Sequence, residues 1–365
     1  MNDFLRSQHV YKNEQHSYRA RERGGGLNLP FSRRFGCMAF GLFLLFSKAG
    51  ASEICGLQSA IYDSIFMNGF NPSSASGLGP AYDTVNAPVG GVTPTVSITS
   101  PTGGTLPKGR VQVVGTVSGA PNVGVVVNGQ RAYVFNGTFM TSEMTLDLSQ
   151  TSLVAEATTP DGLSASATRT VSVSTTEPDI TLSADGEVGF APLPVGFSVG
   201  VKPGLTVQSL SIDFQTDGTS DYMGPGPIPI TTYGTPGIYT AMVTVTLSDN
   251  STRIAVYKVI ALDLAEYRAD ICSVYANLRA RLAAQDANGA ARSLIGQLHT
   301  KLLSLFNALG AEMPAVSAGL GTLADGILGL DTADVVAVKE VSGTVRGYPV
   351  HFVRDGRGVW RIDAM

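Results

Sequence analysis

The chain has 365 residues, a formal net charge of -4 at pH 7, 44% hydrophobic residues and only 15% charged ones. That length accommodates two to four domains, and so little charge excludes the disordered acidic and basic classes. No basic stripe with interleaved aromatics is present, so nucleic acid is excluded as an expected partner.

The first element in chain order concerns destination. Arg33 and Arg34 precede an apolar run from Phe35 to Phe46, and Ser47, Lys48 and Ala49-Gly50-Ala51 follow. A basic start, a short apolar stretch and a small-x-small site make a signal peptide, with cleavage expected after Ala51. Twelve helical residues rise only about 18 Å, too little for a hydrocarbon core of about 30 Å. Residues 1–51 are therefore read as leader and signal peptide, with no stable membrane span after cleavage. The mature protein is expected outside the cytoplasm, in the periplasm, at the cell surface or in the medium.

Cleavage would leave two cysteines, Cys55 and Cys272. In an oxidising compartment they read as one disulfide tying the mature N-terminus to the last domain, with two separate buried thiols as the alternative. Residues 52–92 contain a short amphipathic piece, Leu57 to Phe66, and then stretches rich in Pro, Gly and Ser, so they read as linker.

From Pro94 the texture becomes short alternating runs: VSITSP, RVQVVGTVS, VGVVVNGQ, RAYVFNG, TFMTSEMTL, SLVAEATT and SASATRTVSVS. Seven strands at near-regular spacing predict a β-sandwich over residues 93–175. Asn128-Gly129 and Asn136-Gly137 predict hairpins, because both central residues of a type I′ turn need positive φ. Pro160-Asp161-Gly162 marks a further turn. The runs ITSPTGGT, VVVNGQRAYVFNGTF and VAEATTPDGLSASATRTVSV resemble the immunoglobulin-like modules of secreted bacterial proteins.

A second β-block runs over 178–263. Ile212-Asp213-Phe214 and the stretch TYGTPGIYTAMVTVTLSD, with Tyr233, Pro236, Gly237 and Tyr239, resemble a polycystic-kidney-disease (PKD) module. Ile212 stands where that family has Trp, so the core there must be filled differently; the resemblance makes Tyr239 a core or corner residue. Within this block DFQTDGTSDY places Asp213, Gln215, Asp217, Gly218 and Asp221 at calcium-loop positions 1, 3, 5, 6 and 9. Position 12 is Gly224 instead of a bidentate acid. Two readings stay open: a weak extracellular-type calcium site, or an Asp217-Gly218 hairpin turn with solvated acidic flanks.

After Asp263 the period changes. Leu264, Tyr267, Ile271, Val274, Leu278 and Leu282 predict an amphipathic helix. A second helix, capped by Asn288, is expected to bury Ala291, Leu294, Ile295, Leu298, Leu302, Leu305 and Phe306. A third, looser one opens at Pro314 and is interrupted by Gly319, Gly321 and Gly326. Three strand-like runs, VVAVKEV, YPVHFVR and GVWRIDAM, end the chain. Helices followed by a hairpin containing GVWRI are similar to SnoaL-like and nuclear-transport-factor-like cone domains, so residues 264–365 are expected to form an α+β domain. The fold class expected is thus multidomain: two immunoglobulin-like all-β sandwiches and then that domain.

The resemblance to a cone implies a pocket, for which Tyr348, His351 and Arg361 are the candidates. Trp360 and His299 are read as core and half-buried helix residues respectively. With no nucleophile, base and stabiliser in view, the expected function is that of a non-enzymatic interaction or scaffold protein. Its partner would be an extracellular or envelope protein or a glycan, with calcium as the sole cofactor candidate. A ligand-binding or enzymatic cone domain, and an accessory role in a larger secreted system, are the alternatives.

Overall fold

The computed structural model describes residues 91–119, 121–225 and 227–365. The leader, the cleavage site, Cys55 and the amphipathic piece 57–66 lie outside the described residues.

The first block contains β1 (Thr95–Ser100), β2 (Gly104–Leu106), β3 (Arg110–Val111), β4 (Val114–Ser118), β5 (Gly124–Val127), β6 (Gln130–Phe135), β7 (Thr138–Thr141), β8 (Met144–Thr145), β9 (Ser152–Thr158) and β10 (Ser164–Val173). Eight of them form one sheet in the order β1-β4-β7-β6-β5-β9-β10-β2, while β3 pairs with β8. Ile98 at one end of the order and Val171 near the other share a core with Val117, Val125, Phe139, Leu153 and Ala155, so the sheet folds over on itself as two layers. The expected Asn-Gly hairpins are present: Asn128 and Gly129 have φ 47° and 82°, and Asn136 and Gly137 have 45° and 71°.

The second block contains β11 (Ile180–Ala184), β12 (Val188–Phe190), β13 (Leu193–Val195), β14 (Phe197–Val201), β15 (Val207–Asp213), β16 (Tyr222–Met223), β17 (Thr231–Tyr233), β18 (Gly237–Leu247) and β19 (Thr252–Leu262). A sheet ordered β12-β19-β18-β15-β16 is covered on one face by the pairs β11-β14 and β13-β17. Alternation is regular on β18 from Ala241 onward, whereas the end of β19 is buried on both faces. Ala241, Val243, Val245 and Leu247 of β18 face inward beside Ile212, which is fully buried where the resembled family has Trp.

The last block starts with α1 (Leu264–Ala283), whose N-cap Asp263 accepts a hydrogen bond from the Ala265 amide. The single second helix expected from the sequence is in fact two, α2 (Ala287–Ala291) and α3 (Gly296–Leu309). Asp286, not Asn288, is the N-cap of α2 and accepts from the Gly289 amide. Between the helices the chain runs as an extended segment. The Ile295 amide donates to the Ile362 carbonyl and the Ile362 amide to the Ser293 carbonyl, and Gly296 turns the chain at φ 61°. Leu305, expected in the core, is 48% exposed.

A 3-10 turn leads to α4 (Met313–Gly319), then to β20 (Thr322–Leu328), β21 (Thr332–Val341), β22 (Thr344–Arg354) and β23 (Trp360–Ala364), a four-stranded antiparallel meander. The expectation of three strands is therefore corrected. Gly326, read as a helix interruption, lies in β20, where a Cβ would strike the Asp334 carbonyl of the neighbouring strand. A register shift between Leu323 and Asp325 hides the alternation of β20. Val335, Val350, Phe352, Trp360 and Ile362 line the inner face against α1, with Trp360 edge-on to Tyr267 at 6.0 Å. The same core takes in Met140 of β7 and Ile260 and Leu262 of β19, so all three blocks meet on one apolar cluster. Among the described residues, no helix is long and apolar enough to cross a membrane.

Candidate functional site

In the acidic loop, Asp213 ends β15 and turns its carboxylate back on the backbone. It accepts from the amides of Gln215 at 3.1 Å, Asp217 at 3.3 Å and Gly218 at 2.9 Å. Asp221 accepts from the Phe214 amide at 2.7 Å and Asp217 from the Thr219 amide at 2.8 Å. These are Asx turns, in which carboxylates stand in for backbone acceptors. Burial raises the Asp213 carboxyl, but the amides of Gly218, Gln215, Asp217 and Thr216 outweigh it and hold the group below its usual range. No group of three His, Cys, Asp or Glu side chains among the described residues is placed to hold a metal ion. Asp213, Gln215, Asp217 and Asp221 thus lie in one turn whose three carboxylates accept from backbone amides.

The three pocket candidates are not brought together. Tyr348 and His351 are three residues apart on β22 and so point to opposite faces. His351 Nδ1 lies 2.7 Å from Asp334 Oδ1 on the outer face of the sheet, while the inner face is filled by Val350, Phe352 and Trp360. Arg361 turns away from both, toward Asp355 and the carbonyls of Pro160 and Arg292. Trp360 is buried, as expected, and His299 is half-buried on α3. Tyr239 stacks on Tyr233 at 4.3 Å, and the Tyr233 hydroxyl donates to the Phe214 carbonyl at 2.9 Å. Cys272 is buried on α1.

What the structure does bring together is the junction between the first sandwich and the last block. Asn122 is buried, at φ 63°, in the loop before β5. Its side-chain amide accepts from the Trp360 amide at 2.7 Å and donates to the Trp360 carbonyl at 3.1 Å, and its own amide donates to Asp270 Oδ1 at 2.7 Å. Burial pushes the Asp270 carboxyl up to about 7; Glu266 adds to the rise, while the Asn122 amide and Arg354 oppose it. Arg354 spans the seam, donating to the Ala132 carbonyl at 2.6 Å and lying 5.2 Å over the Tyr133 ring. The cavity that Asn122, Tyr267, Asp270, Arg354 and Trp360 line is about 10 Å³, the size of one water.

Beside it the Pro160-Asp161-Gly162 turn is gripped by arginines from three elements. Arg281 of α1 pairs with Asp161 at 3.0 Å, Arg292 after α2 donates to the Asp161 carbonyl at 2.9 Å, and Arg361 of β23 donates to the Pro160 carbonyl at 2.8 Å. Gly124 fits because its bare Cα packs on the Arg357–Gly358 backbone, where a Cβ would collide. The sandwiches meet through Gln112, whose amide group donates to the Lys258 carbonyl at 2.7 Å and accepts from its amide at 2.8 Å, as a neighbouring strand would. Glu187 Oε2 joins this contact, accepting from Gln112 at 3.2 Å and from the Tyr257 hydroxyl at 2.8 Å.

The outer face of the β15-β16-β18-β19 sheet is divided. At one end Ile238, Ile260 and Leu262 pack into the shared core. At the other, the pairings Met223↔Ser211, Ser211↔Thr244 and Thr244↔Ile254 lay one row across four strands, and Asp213↔Met242 and Met242↔Val256 lay the next. Met223 is 75% exposed, Ile254 62% and Val256 54%. The one charged residue in these two rows is Asp213, whose carboxylate is taken up by its own loop.

No protein-family model matches the chain, and no curated protein matches it. Solved structures similar to parts of it include multidomain proteins with fibronectin(III)-like or immunoglobulin domains. The fibronectin(III)-like modules of Clostridium thermocellum CbhA match at 13% identity and TM-score 0.19, over 46% of this chain and 95% of that one. A titin I-band fragment matches at 11% and 0.19, over 47% and 66%. Domains 4–9 of the surface layer protein SbsC match at 16% and 0.23, over 48% and 32%. Likeness at this level carries no argument about what the chain binds.

Proposed function

We propose that the protein is an exported, non-enzymatic interaction protein, in which the second sandwich offers its outer sheet face to a protein partner outside the cytoplasm. The observation that carries this reading is the half-covered sheet. One end is already an interface, and the other continues it as a flat surface of Met223, Met242, Ile254 and Val256 set among Ser and Thr. Exposed large apolar side chains gathered on one sheet face and rimmed by polar residues mark an interaction site. Solvation of charge does not oppose docking there, because the rows carry no exposed ion.

The test is photo-crosslinking in the native host from a probe at position 254, with a probe at exposed Leu148 of the first sandwich as control. A discrete adduct from 254 alone, abolished by Met223→Asp, supports the reading. Equal, diffuse labelling from both positions removes it. Fractionation with N-terminal mapping tests export: a chain beginning at Ser52 outside the cytoplasm is expected, and an intact chain in the cytosol defeats the proposal. Export carries with it the Cys55–Cys272 bond, which non-reducing peptide mapping would find or exclude. Calorimetry with calcium on wild type and Asp217→Ala is expected to give no heat in either, and a heat lost only in the variant would restore the metal reading.

A further inference from the structure

The strand β19 is paired along both edges for only part of its length. One edge is laddered to β18 from Thr252 to Ala261. On the other edge every second residue turns its amide and carbonyl outward, and at the C-terminal end those groups are taken up. The Leu262 carbonyl accepts from the Ala191 amide, the Ile260 amide donates to the Glu187 carbonyl, and Lys258 exchanges both of its groups with the Gln112 side chain. The next residues in that alternation are Val256 and Ile254. Among the described residues, no neighbouring strand or side chain takes up their outward amides and carbonyls. One step further, the Thr252 carbonyl is closed off by Arg253 Nη1. The edge therefore has a gap at Ile254 and Val256, with hydrogen-bonded positions on either side of it.

The neighbours of the gap indicate what fits it. The same edge is already extended by the strand β12 and by a glutamine that imitates a strand, so the matching occupant is a further length of extended chain. Sheet edges that must stay free are blunted by Pro, by a bulge or by an unpaired charge. The stretch Thr252–Tyr257 has no Pro and no register shift, and its one charged side chain, Arg253, is paired with Asp179. The side chains of Ile254 and Val256 are exposed on the outer face. Residues laid opposite them would share that face, and the residue between would turn toward half-buried Ala255. The chemistry of the occupant follows: an extended segment, apolar at two positions two residues apart, with a small residue between them.

We propose that the gap at Ile254 and Val256 receives such a segment of the partner protein as an added strand of the sheet, an inference that rests on the outer face of the second sandwich being the docking surface. Val256→Pro tests it, because it removes one outward amide and keeps an apolar side chain and the ladder to β18, a position at which an edge strand tolerates Pro. Val256→Thr keeps the amide and the branched shape. With the photo-probe at position 254 in the native host, Val256→Pro is expected to lower the adduct yield by about tenfold or more, and Val256→Thr by no more than about threefold. Peptide mapping should place the crosslink in a partner segment with the stated apolar alternation. An adduct that survives Val256→Pro but is lost with Met223→Asp puts the partner on the face alone; it overturns the added strand and leaves the docking surface standing. No adduct from wild type overturns both. A crosslink to a second copy of this chain, or to a helical or charged segment, overturns the added strand. Should Val256→Pro fail to fold, amide exchange decides: the 256 amide exchanges freely in the isolated chain and slows about tenfold or more in the purified adduct, and equal exchange in both overturns the proposal.

Discussion

The first sandwich is joined to its two neighbours in different ways. Toward the last block the seam is a closed polar network: Asn122 makes three hydrogen bonds across it, and three arginines hold one turn. Toward the second sandwich the polar part rests on Gln112 and Glu187, which complete the edge of β19 at Lys258. A sealed network makes every member costly to remove, because the deserted partners stay buried. An edge contact near solvent is repaired by water.

Mutations at the two seams test that contrast. Trp360→Ala removes the aromatic floor of the sealed seam and is expected to cost about 4 kcal/mol in denaturant unfolding. Asn122→Ala leaves both Trp360 backbone groups unpaired and places Ala at positive φ, for an expected loss of about 3 kcal/mol. An equal loss from Gln112→Ala would erase the distinction between the seams; the expectation there is about 1 kcal/mol.

Asp270→Asn probes the proton at the sealed seam. Its carboxyl has a folded value raised to about 7, so its contribution is fully present below about pH 4, the ordinary carboxylate range, and is lost as pH rises through 7. The variant keeps an acceptor for the Asn122 amide but cannot ionise. Urea midpoints measured from pH 5 to 8 should therefore fall for wild type relative to the variant, and parallel curves would exclude Asp270 as the cause. The smallest effect is expected on the open sheet: Ile254→Ser should change stability by no more than about 0.5 kcal/mol, a thermal melt being sufficient to check it.

Local features were legible in the sequence and distant ones were not. Each of the seven runs of the first sandwich carries strand and its Asn-Gly turns are in place, because strand period and positive φ are properties of neighbouring residues; two of the runs break into two strands each, and the short β2 falls outside all seven, so the block has ten strands. The seam is invisible to such a reading: Asn122 lies 148 residues from Asp270 and 238 from Trp360, and a single Asn after a Pro carries no local signal. Pro160-Asp161-Gly162 is legible as a turn, but nothing nearby announces the arginines that hold it. The spacing of Asp213, Asp217 and Asp221 leaves a metal site and a turn both open, because sequence offsets do not reveal which carboxylates accept from backbone amides. Gly326 misleads because a glycine forced by a neighbouring strand resembles one that ends a helix.

The arginine grip also sets how tension would pass through the molecule. Gly91 rests against Asp161, and Arg361, near the far end of the chain, holds Pro160. A pull applied between Gly91 and Arg361 would therefore bear on a single corner, where three guanidinium contacts resist in parallel.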